Sequence, residues 1–220
     1  MLDRRLEPEV MDIAAEARDY DAMDHGAVNA AFVGDFLVAW PGGNPILDLG
    51  TGTALIPIEL CRRSTAAQIV GVDLAAEMLK VGAANVAAAS MVGRIELRQA
   101  DAKSLPFSDG TFGALMSNSI VHHIPEPRQA LADALRVTRP GGLLFLRDLM
   151  RPADAETLDR LVDQYAAGAN DHQRQMFADS LHAALTLNEI RALVANLGFD
   201  PGTVHASSDR HWTWAAVKPL

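Results

Sequence analysis

The stretch Ile46-Leu-Asp-Leu-Gly-Thr-Gly-Thr-Ala54 runs from an apolar segment directly into two glycines separated by one residue. The apolar residues predict a short buried strand, and a helix is predicted to begin at about Ala54. Glycines at 50 and 52 allow a tight turn and let a bound molecule approach the backbone without meeting a Cβ. The free N–H groups at the start of the helix face the same crevice. Purely structural turns share this pattern, so its meaning depends on the rest of the chain.

Two acids follow, each at the end of a predicted strand. Asp73 ends the second strand, where a carboxylate can accept hydrogen bonds from both ribose hydroxyls of a nucleoside. Asp101 follows the third strand and precedes Ala102, where it could accept from an exocyclic amine. Alone, the first also fits a surface aspartate and the second a helix N-cap. Because the glycine turn and both acids end three consecutive strands, together they predict a site for a nucleoside-containing cofactor.

Apolar runs alternate with helical patterns from residue 45 onward, which is typical of a doubly wound α/β sheet. Two helices broken around residues 20–25 are predicted within 8–40, and one or two within 154–184. Thr186 and Glu189 have capping-box spacing at the start of a helix that ends before Gly198. The segment Arg139-Pro-Gly-Gly142 is predicted to be a turn that stops the preceding helix. The remaining predicted elements are strands at 45–49, 68–72, 94–99, 111–117, 143–147, 203–207 and 212–217, and helices at 54–63, 75–90 and 127–138.

Composition and charge exclude several classes of protein. The 220 residues include 19 basic and 28 acidic side chains, a net charge of −9, which argues against a nucleic-acid partner. The single cysteine, Cys61, cannot form an intramolecular disulfide, and the seven histidines show no HExxH or His-x-His spacing, so no metal is expected. Apolar runs are too short to cross a bilayer, and the N-terminus is acidic where a signal peptide is apolar. We therefore expect a cytoplasmic protein with no membrane partner; its oligomeric state stays open.

The chain resembles the class I S-adenosylmethionine-dependent methyltransferases, particularly the small-molecule branch that includes the quinone-biosynthesis C-methyltransferases. The resemblance covers roughly residues 45–150, and the family's third glycine is replaced by Ala54. It implies a Rossmann-like sheet of seven strands with an antiparallel last strand. The segments that carry it are Asp48-Leu-Gly-Thr-Gly-Thr-Ala54, Gly71-Val-Asp-Leu74, Gln99-Ala-Asp-Ala102, Leu105-Pro-Phe107, Asp109-Gly-Thr-Phe112 and Arg139-Pro-Gly-Gly142.

The same resemblance implies the cofactor and its contacts. S-adenosylmethionine would be the methyl donor and S-adenosylhomocysteine the product. The chain would form one methyltransferase domain over 1–220, with a helical cover at 1–40, a cofactor-binding half at 41–150, and substrate-side helices and the last strands at 151–220. The residues implied in cofactor binding are Asp48, Gly50, Thr51, Gly52, Asp73, Leu74, Asp101, Ala102 and Asn118.

Methyl transfer is an in-line displacement, so the protein mainly has to align donor and acceptor, and a base is needed only when the acceptor carries a proton to be lost. His122 and His123 follow the fourth strand and are candidate bases. Adjacent side chains in an extended chain point in opposite directions, so at most one is expected to face the site. A helix-start element is the alternative explanation of this pair. Residues that could contact the substrate are Tyr20, His25, Arg147 and Tyr165.

Two other functions compete with this one. A nicotinamide-dependent dehydrogenase also uses a glycine-rich turn and an acid after the second strand, but its third glycine would fall at Leu55. A non-catalytic cofactor-binding protein of the same fold is the second rival. The ordered motifs favour a methyltransferase, the expected partner is a small-molecule substrate, and the sequence does not identify the methyl acceptor.

Overall fold

The computed structural model describes residues 2–7, 12–23 and 25–220, and its strands join in a seven-stranded sheet. The order across the sheet is β3-β2-β1-β4-β5-β7-β6. Strand β1 pairs in parallel with β2 and with β4, and β2 pairs in parallel with β3, whereas β6 and β7 are antiparallel. The strands are β1 (Ile46–Leu49), β2 (Ile69–Asp73), β3 (Ile95–Gln99), β4 (Phe112–Asn118), β5 (Thr138–Leu149), β6 (Val204–Ala206) and β7 (His211–Val217).

The helices lie where the sequence pattern predicts them, and side-chain caps explain why two of them begin where they do. At the start of the helix Leu187–Asn196, the Thr186 side chain accepts from the Glu189 N–H, and the Glu189 side chain accepts from the Thr186 N–H. The predicted capping box is therefore present. Asn170 and Gln173 form a second capping box at α7. The predicted cover at 8–40 contains α1 and α2, although residues 8–11 and 24 lie outside the described residues. The helices are α1 (Ala14–Asp21), α2 (Gly26–Ala39), α3 (Leu55–Arg63), α4 (Ala76–Ala88), α5 (Pro127–Val137), α6 (Ala155–Tyr165), α7 (Asp171–Ala183) and α8 (Leu187–Asn196).

The segment Arg139-Pro-Gly-Gly142 differs from its predicted role as a turn ahead of a strand. It lies inside β5, which begins directly after α5. The reason is long-range pairing: the Gly141 N–H donates to the Lys218 carbonyl, and the Lys218 N–H donates to the Gly142 carbonyl. Gly141, the fourth residue of β5, has a φ of 75°, a conformation that residues other than glycine rarely adopt.

The chain divides into two compact units, each with an apolar cluster of its own. The larger unit is Val10–Asn118, Arg128–Leu146 and Ala215–Leu220, and the smaller unit is Met1–Glu9, Ser119–Pro127 and Arg147–Trp214. In the larger unit the cluster includes Phe32, Phe36, Ile46, Met116 and Phe145. In the smaller unit it includes Leu149, Leu158, Leu161, Val162 and Leu181. Within the described residues, no helix is both long and apolar enough to cross a bilayer.

Candidate functional site

The loop between β1 and α3 belongs to the larger unit and is held by its own backbone. The N–H groups of Gly50 and Thr51 both donate to the Val72 carbonyl at 2.9 Å, which fixes the loop to β2. Gly50 and Gly52 have φ values of 77° and 53°, and a Cβ added at Gly52 would meet open space. The two glycines therefore satisfy a conformational requirement, and the backbone at Gly52 is open to a ligand.

Ala54 occupies the position where the resembling family often has a third glycine. Its φ is 64° and its ψ is 21°, so an alanine takes the left-handed conformation immediately before α3. Left-handed backbone costs an L-residue about 1–2 kcal/mol, which explains why glycine suits this position. The alanine methyl is fully buried in the core of the larger unit, and its packing offsets part of that cost.

Asp73 braces the glycine loop in addition to ending β2. One carboxylate oxygen accepts from the Gly52 N–H at 2.8 Å and the other from the Ala75 N–H at 2.9 Å. Burial raises the pKa of Asp73, and these amide bonds act in the opposite direction. A carboxylate can accept about four hydrogen bonds, so the two oxygens keep capacity for further donors. Sequence reasoning identified Asp73 as a ligand residue but missed its bond to the loop.

Asp48, the penultimate residue of β1, and Asn118, the last residue of the neighbouring strand β4, carry buried acceptors that lack a partner among the described residues. Asp48 is 2% exposed, and its Oδ2 has no hydrogen-bond donor among the described residues. The Oδ1 of Asn118 is buried and equally unpartnered within the described part of the chain. Burial, with a smaller contribution from the charge of Asp73, raises the pKa of Asp48 to about 7, and the Thr51 hydroxyl acts in the opposite direction. Both oxygens require a donor that the described protein atoms do not provide.

The other residues predicted to bind the cofactor differ in their contacts and in their exposure. Asp101 Oδ1 accepts from the Lys103 N–H at 2.8 Å and lies 3.0 Å from the Lys103 ammonium nitrogen. Leu74 is 36% exposed, so its side chain has a free apolar face, whereas Ala102 is buried. Thr51 is buried, and its hydroxyl lowers the pKa of Asp48. Asp101 thus caps a turn; the helix N-cap that was its alternative explanation is wrong, because no helix begins among the residues described between β3 and β4.

Tyr20 and His25 lie at the junction of α1 and α2, in the same unit as the glycine loop. Their rings are 4.5 Å apart, and His25 Nε2 is 2.9 Å from the Tyr20 carbonyl oxygen. Tyr20 packs against Ala75 and Met78, at the start of α4. Burial, followed by the negative charge of Asp73, raises the pKa of the Tyr20 hydroxyl. The helical cover therefore adjoins the end of β2 within the larger unit.

The smaller unit contains a group that we call the histidine cluster: Glu7, His122, His123 and Asp148. His122 and His123 lie in a 3₁₀ turn, and their ring centroids are 4.1 Å apart. The prediction that adjacent histidines point in opposite directions is therefore wrong. It assumed extended chain, and a 3₁₀ turn brings both rings to one side.

Asp148 organises this cluster, and sequence reasoning gave it no role. Its carboxylate accepts from His122 Nδ1 at 2.5 Å and from the N–H groups of Val121 and Leu149 at 2.5 and 2.6 Å. Burial opposes ionisation, but the facing imidazole and these amides lower the pKa of Asp148. Glu7 was also missed: its Oε1 is 3.4 Å from His122 Nε2 and 3.1 Å from His123 Nδ1. Neither acid stands in a local motif with the histidines, so the sequence carried no signal for them.

Arg147 and Tyr165 also belong to the smaller unit, where each has a protein partner. Arg147 Nε donates to the Thr213 hydroxyl at 2.9 Å. The Tyr165 hydroxyl donates to Asp209, and the guanidinium of Arg210 lies 3.3 Å from the centroid of the Tyr165 ring. The structure thus gives both side chains roles in packing, alongside any contact with a substrate.

Comparisons with known proteins agree with this architecture. Residues 47–146 match the methyltransferase-domain family model. The chain is 30% identical over 169 residues to the ubiquinone/menaquinone biosynthesis C-methyltransferase UbiE of Marinomonas sp., covering 72% of this chain and 67% of that protein. It is 27% identical over 172 residues to the UbiE of Geobacter sulfurreducens, covering 74% and 67%.

The fold has close counterparts among solved structures. A SAM-dependent methyltransferase from Aquifex aeolicus superposes with a TM-score of 0.69 at 15% identity, over 93% of this chain and 98% of that one. Sequence similarity and fold therefore agree, and the dehydrogenase alternative is wrong. The chain belongs to the class I S-adenosylmethionine-dependent methyltransferases, and it is an enzyme that uses S-adenosylmethionine and releases S-adenosylhomocysteine.

Proposed function

We propose that the enzyme methylates a small-molecule acceptor, with the cofactor held at the glycine-loop edge. This edge is defined as Asp48–Ala54 with Asp73, Leu74, Asp101, Ala102 and Asn118. The observation that carries the cofactor assignment is the pair of buried, unpartnered acceptors on Asp48 and Asn118. S-adenosylmethionine has an ammonium group and a sulfonium charge, so a cationic donor fits those oxygens.

Each residue of the edge has a task in this proposal. The methionine end of the cofactor lies along Asp48, Gly50, Thr51 and Gly52, and Asn118 accepts from its ammonium group. Asp73 accepts hydrogen bonds from the ribose hydroxyls, because its two bonds from backbone amides leave its carboxylate oxygens able to accept more. The cofactor supplies a methyl group activated by the sulfonium, and the protein contributes alignment and exclusion of water, which can account for on the order of 7–11 kcal/mol of barrier reduction. Leu74 contacts the adenine face, and Asp101 and Ala102 contact its edge.

Three features support a small molecule as the acceptor. The net charge of −9 disfavours a polyphosphate backbone. The sequence Ser117-Asn-Ser-Ile120 at the end of β4 differs from the Asn-Pro-Pro-Tyr type of enzymes that methylate bases and amides. Relatives at 27–30% identity are named for ubiquinone and menaquinone biosynthesis, which is chemistry on small molecules. The cytoplasmic location stays a prediction from the sequence.

We also propose that residues 1–220 work as one methyltransferase domain with 1–40 as its cover. Asp12, just before α1, accepts from the Glu77 N–H at 2.9 Å, and Asp21 accepts from the Asn85 side chain at 2.8 Å, so hydrogen bonds at both ends connect α1 to α4. A cover that opens for substrate belongs to the less stable part of a protein. Hydrogen exchange in α1 should slow when S-adenosylhomocysteine binds, and equal exchange with and without it would contradict the proposal.

The acceptor-side residues stay proposals. Where the acceptor must lose a proton, His122 or His123 is the base, which requires a free imidazole lone pair. Tyr20, His25, Arg147 and Tyr165 are proposed to contact the substrate.

The test uses the purified chain, S-adenosylmethionine labelled at the methyl group, and a cell extract separated into small molecules, proteins and nucleic acids. Label should appear among the small molecules, and Asp48→Ala should abolish the transfer because the cofactor loses an acceptor. The matched control Asp159→Ala, at an exposed position of α6, should keep it. Label confined to proteins or nucleic acids would contradict the acceptor class while leaving the family assignment intact.

A further inference from the structure

Three side chains of the histidine cluster place metal-binding atoms close together. The ligand atoms of Glu7, His122 and His123 all lie within 4.8 Å of one another, the one such group among the described residues. Two of the separations, 3.4 Å and 3.1 Å, meet at the same Glu7 oxygen. Adjacent ligands of a tetrahedral ion with bonds of about 2.0–2.1 Å are separated by roughly 3.3 Å. Two of the three separations therefore match those between ligands of a bound transition-metal ion, and the third is no longer than 4.8 Å.

Each of two proposed ligands also has the outer partner that metal ligands require. His122 Nδ1 is 2.5 Å from Asp148, which leaves Nε2 as the atom directed at Glu7. The hydroxyl of Ser180 donates to both Glu7 oxygens, at 3.2 and 3.3 Å. A carboxylate behind a histidine fixes its tautomer and makes the ring a better ligand. The arrangement of Asp148, His122 and Glu7 thus supplies a ligand pair already oriented by hydrogen bonds.

The electrostatics of the group call for a cation. With a hydrogen on Nδ1 directed at Asp148, the neutral form of His122 turns its Nε2 lone pair toward the Glu7 carboxylate; burial favours this neutral form, whereas Asp148 and Glu7 outweigh burial and raise the pKa of His122. Two acceptors facing each other repel unless a positive charge lies between them. One proton can bridge two of the three atoms, whereas a divalent ion binds all three at once. The guanidinium of Arg4 donates to the backbone carbonyls of His122 and Ile124.

We propose that Glu7, His122 and His123 form a binding site for a divalent transition-metal ion such as Zn²⁺. Two imidazoles and one carboxylate suit Zn²⁺, Co²⁺ or Fe²⁺ better than Mg²⁺, which prefers oxygen ligands. The sequence predicted no metal because the histidines lack HExxH or His-x-His spacing, and Glu7 is far from them along the chain. The ion would use the imidazole lone pairs that a general base needs, so its binding replaces the base role of these two residues.

The test is zinc binding by the full chain without a histidine tag, after treatment with a chelator. Calorimetry should show one Zn²⁺ per chain with a micromolar or tighter Kd, and Mg²⁺ should not compete. Zinc X-ray absorption should show two imidazole nitrogens. Glu7→Gln and His123→Asn should each weaken zinc binding by at least tenfold. Binding of S-adenosylhomocysteine is measured in parallel, so a failed metal site is separated from a failed cofactor assignment.

Two control variants test whether the loss of zinc binding is specific to the proposed ligands. His172→Asn and Glu156→Gln change the same residue types at exposed positions of α7 and α6, and zinc affinity should stay unchanged. Circular dichroism confirms that each variant is folded before titration. Absence of saturable zinc uptake would overturn the proposal, as would zinc binding that persists in both ligand variants. A His122 ring that takes up no zinc and carries protons on both nitrogens by ¹⁵N NMR would identify a proton as the cation instead.

Discussion

Asp48 in the larger unit and Asp148 in the smaller unit are both buried aspartates, at 2% and 1% exposure, yet their environments have opposite effects. Asp48 has an oxygen without a hydrogen-bond donor among the described residues, and burial raises its pKa to about 7. Asp148 has donors on both oxygens, and His122 with nearby amides lowers its pKa despite burial. The charge and hydrogen bonds of neighbouring groups therefore decide whether a buried carboxylate is available to a ligand or already paired within the fold.

The largest expected effect is on stability, from Asp148→Ala. Removing this carboxylate leaves His122 and the amides of Val121 and Leu149 without their acceptor, so the free energy of unfolding should fall by about 3–5 kcal/mol. Urea denaturation measures the change. Asp159→Ala, at an exposed position of α6, should stay within about 0.5 kcal/mol of the original protein.

The same measurement on Asp48→Asn sharpens the contrast. This substitution removes a charge that burial disfavours, so the unliganded protein should be as stable as the original or more stable. If Asp48→Asn and Asp148→Ala destabilise the protein equally, then the two carboxylates do not differ in the way that their hydrogen bonds indicate.

Asp73→Ala should have the next largest effect, and it acts on both binding and stability. Each lost hydrogen bond from a ribose hydroxyl to the carboxylate costs about 1.5–3 kcal/mol of cofactor binding, less what water restores. The amides of Gly52 and Ala75 lose their acceptor too, which should lower stability by about 1–3 kcal/mol. Calorimetry with S-adenosylhomocysteine and thermal unfolding measure the two changes. Unchanged affinity in a destabilised variant would make Asp73 a structural residue alone.

The glycine-loop edge of the larger unit could be predicted from the sequence, whereas the histidine cluster of the smaller unit could not. The glycine-loop edge comes from short contiguous motifs, and Gly50, Gly52 and Asp73 each follow a strand whose apolar pattern is visible in the sequence. The strands and most helices were predicted for the same reason. The histidine cluster depends on Glu7 and Asp148 meeting a 3₁₀ turn, and only the folded chain brings them together. The Pro140 segment was misread because its pairing with the Lys218 region is equally remote.

The pH dependence of cofactor binding tests Asp48 directly. The folded-state pKa of about 7 lies above the ordinary value of 3.8, so the proton stabilises the unliganded fold and that contribution is lost as pH rises toward 7. A cationic cofactor needs the ionised carboxylate, so affinity should increase roughly fifteenfold between about pH 5.5 and 7, with release of a proton. Calorimetry in buffers of different ionisation enthalpy measures both quantities.

Asp48→Asn is the control for this pH dependence. It cannot ionise, so its weaker cofactor binding should be nearly independent of pH in that range. An original protein with equally flat binding would show that Asp48 is already ionised before the cofactor arrives. A variant that keeps the full pH dependence would assign it to another group.

The smallest effect concerns backbone strain, which both regions contain. Ala54 at the glycine loop and Ser119 before the 3₁₀ turn have φ values of 64° and 60°. Glycine at either position relieves about 1–2 kcal/mol of left-handed strain and costs about 0.5–1 kcal/mol in chain entropy. Ala54→Gly also loses a buried methyl worth about 0.8 kcal/mol, so its net change in stability should be close to zero. Ser119 is only half-buried, so Ser119→Gly should stabilise the protein by several tenths of a kcal/mol. Urea denaturation of the two variants side by side measures the difference, and a larger gain at Ala54 than at Ser119 would mean that the buried methyl contributes nothing to the core.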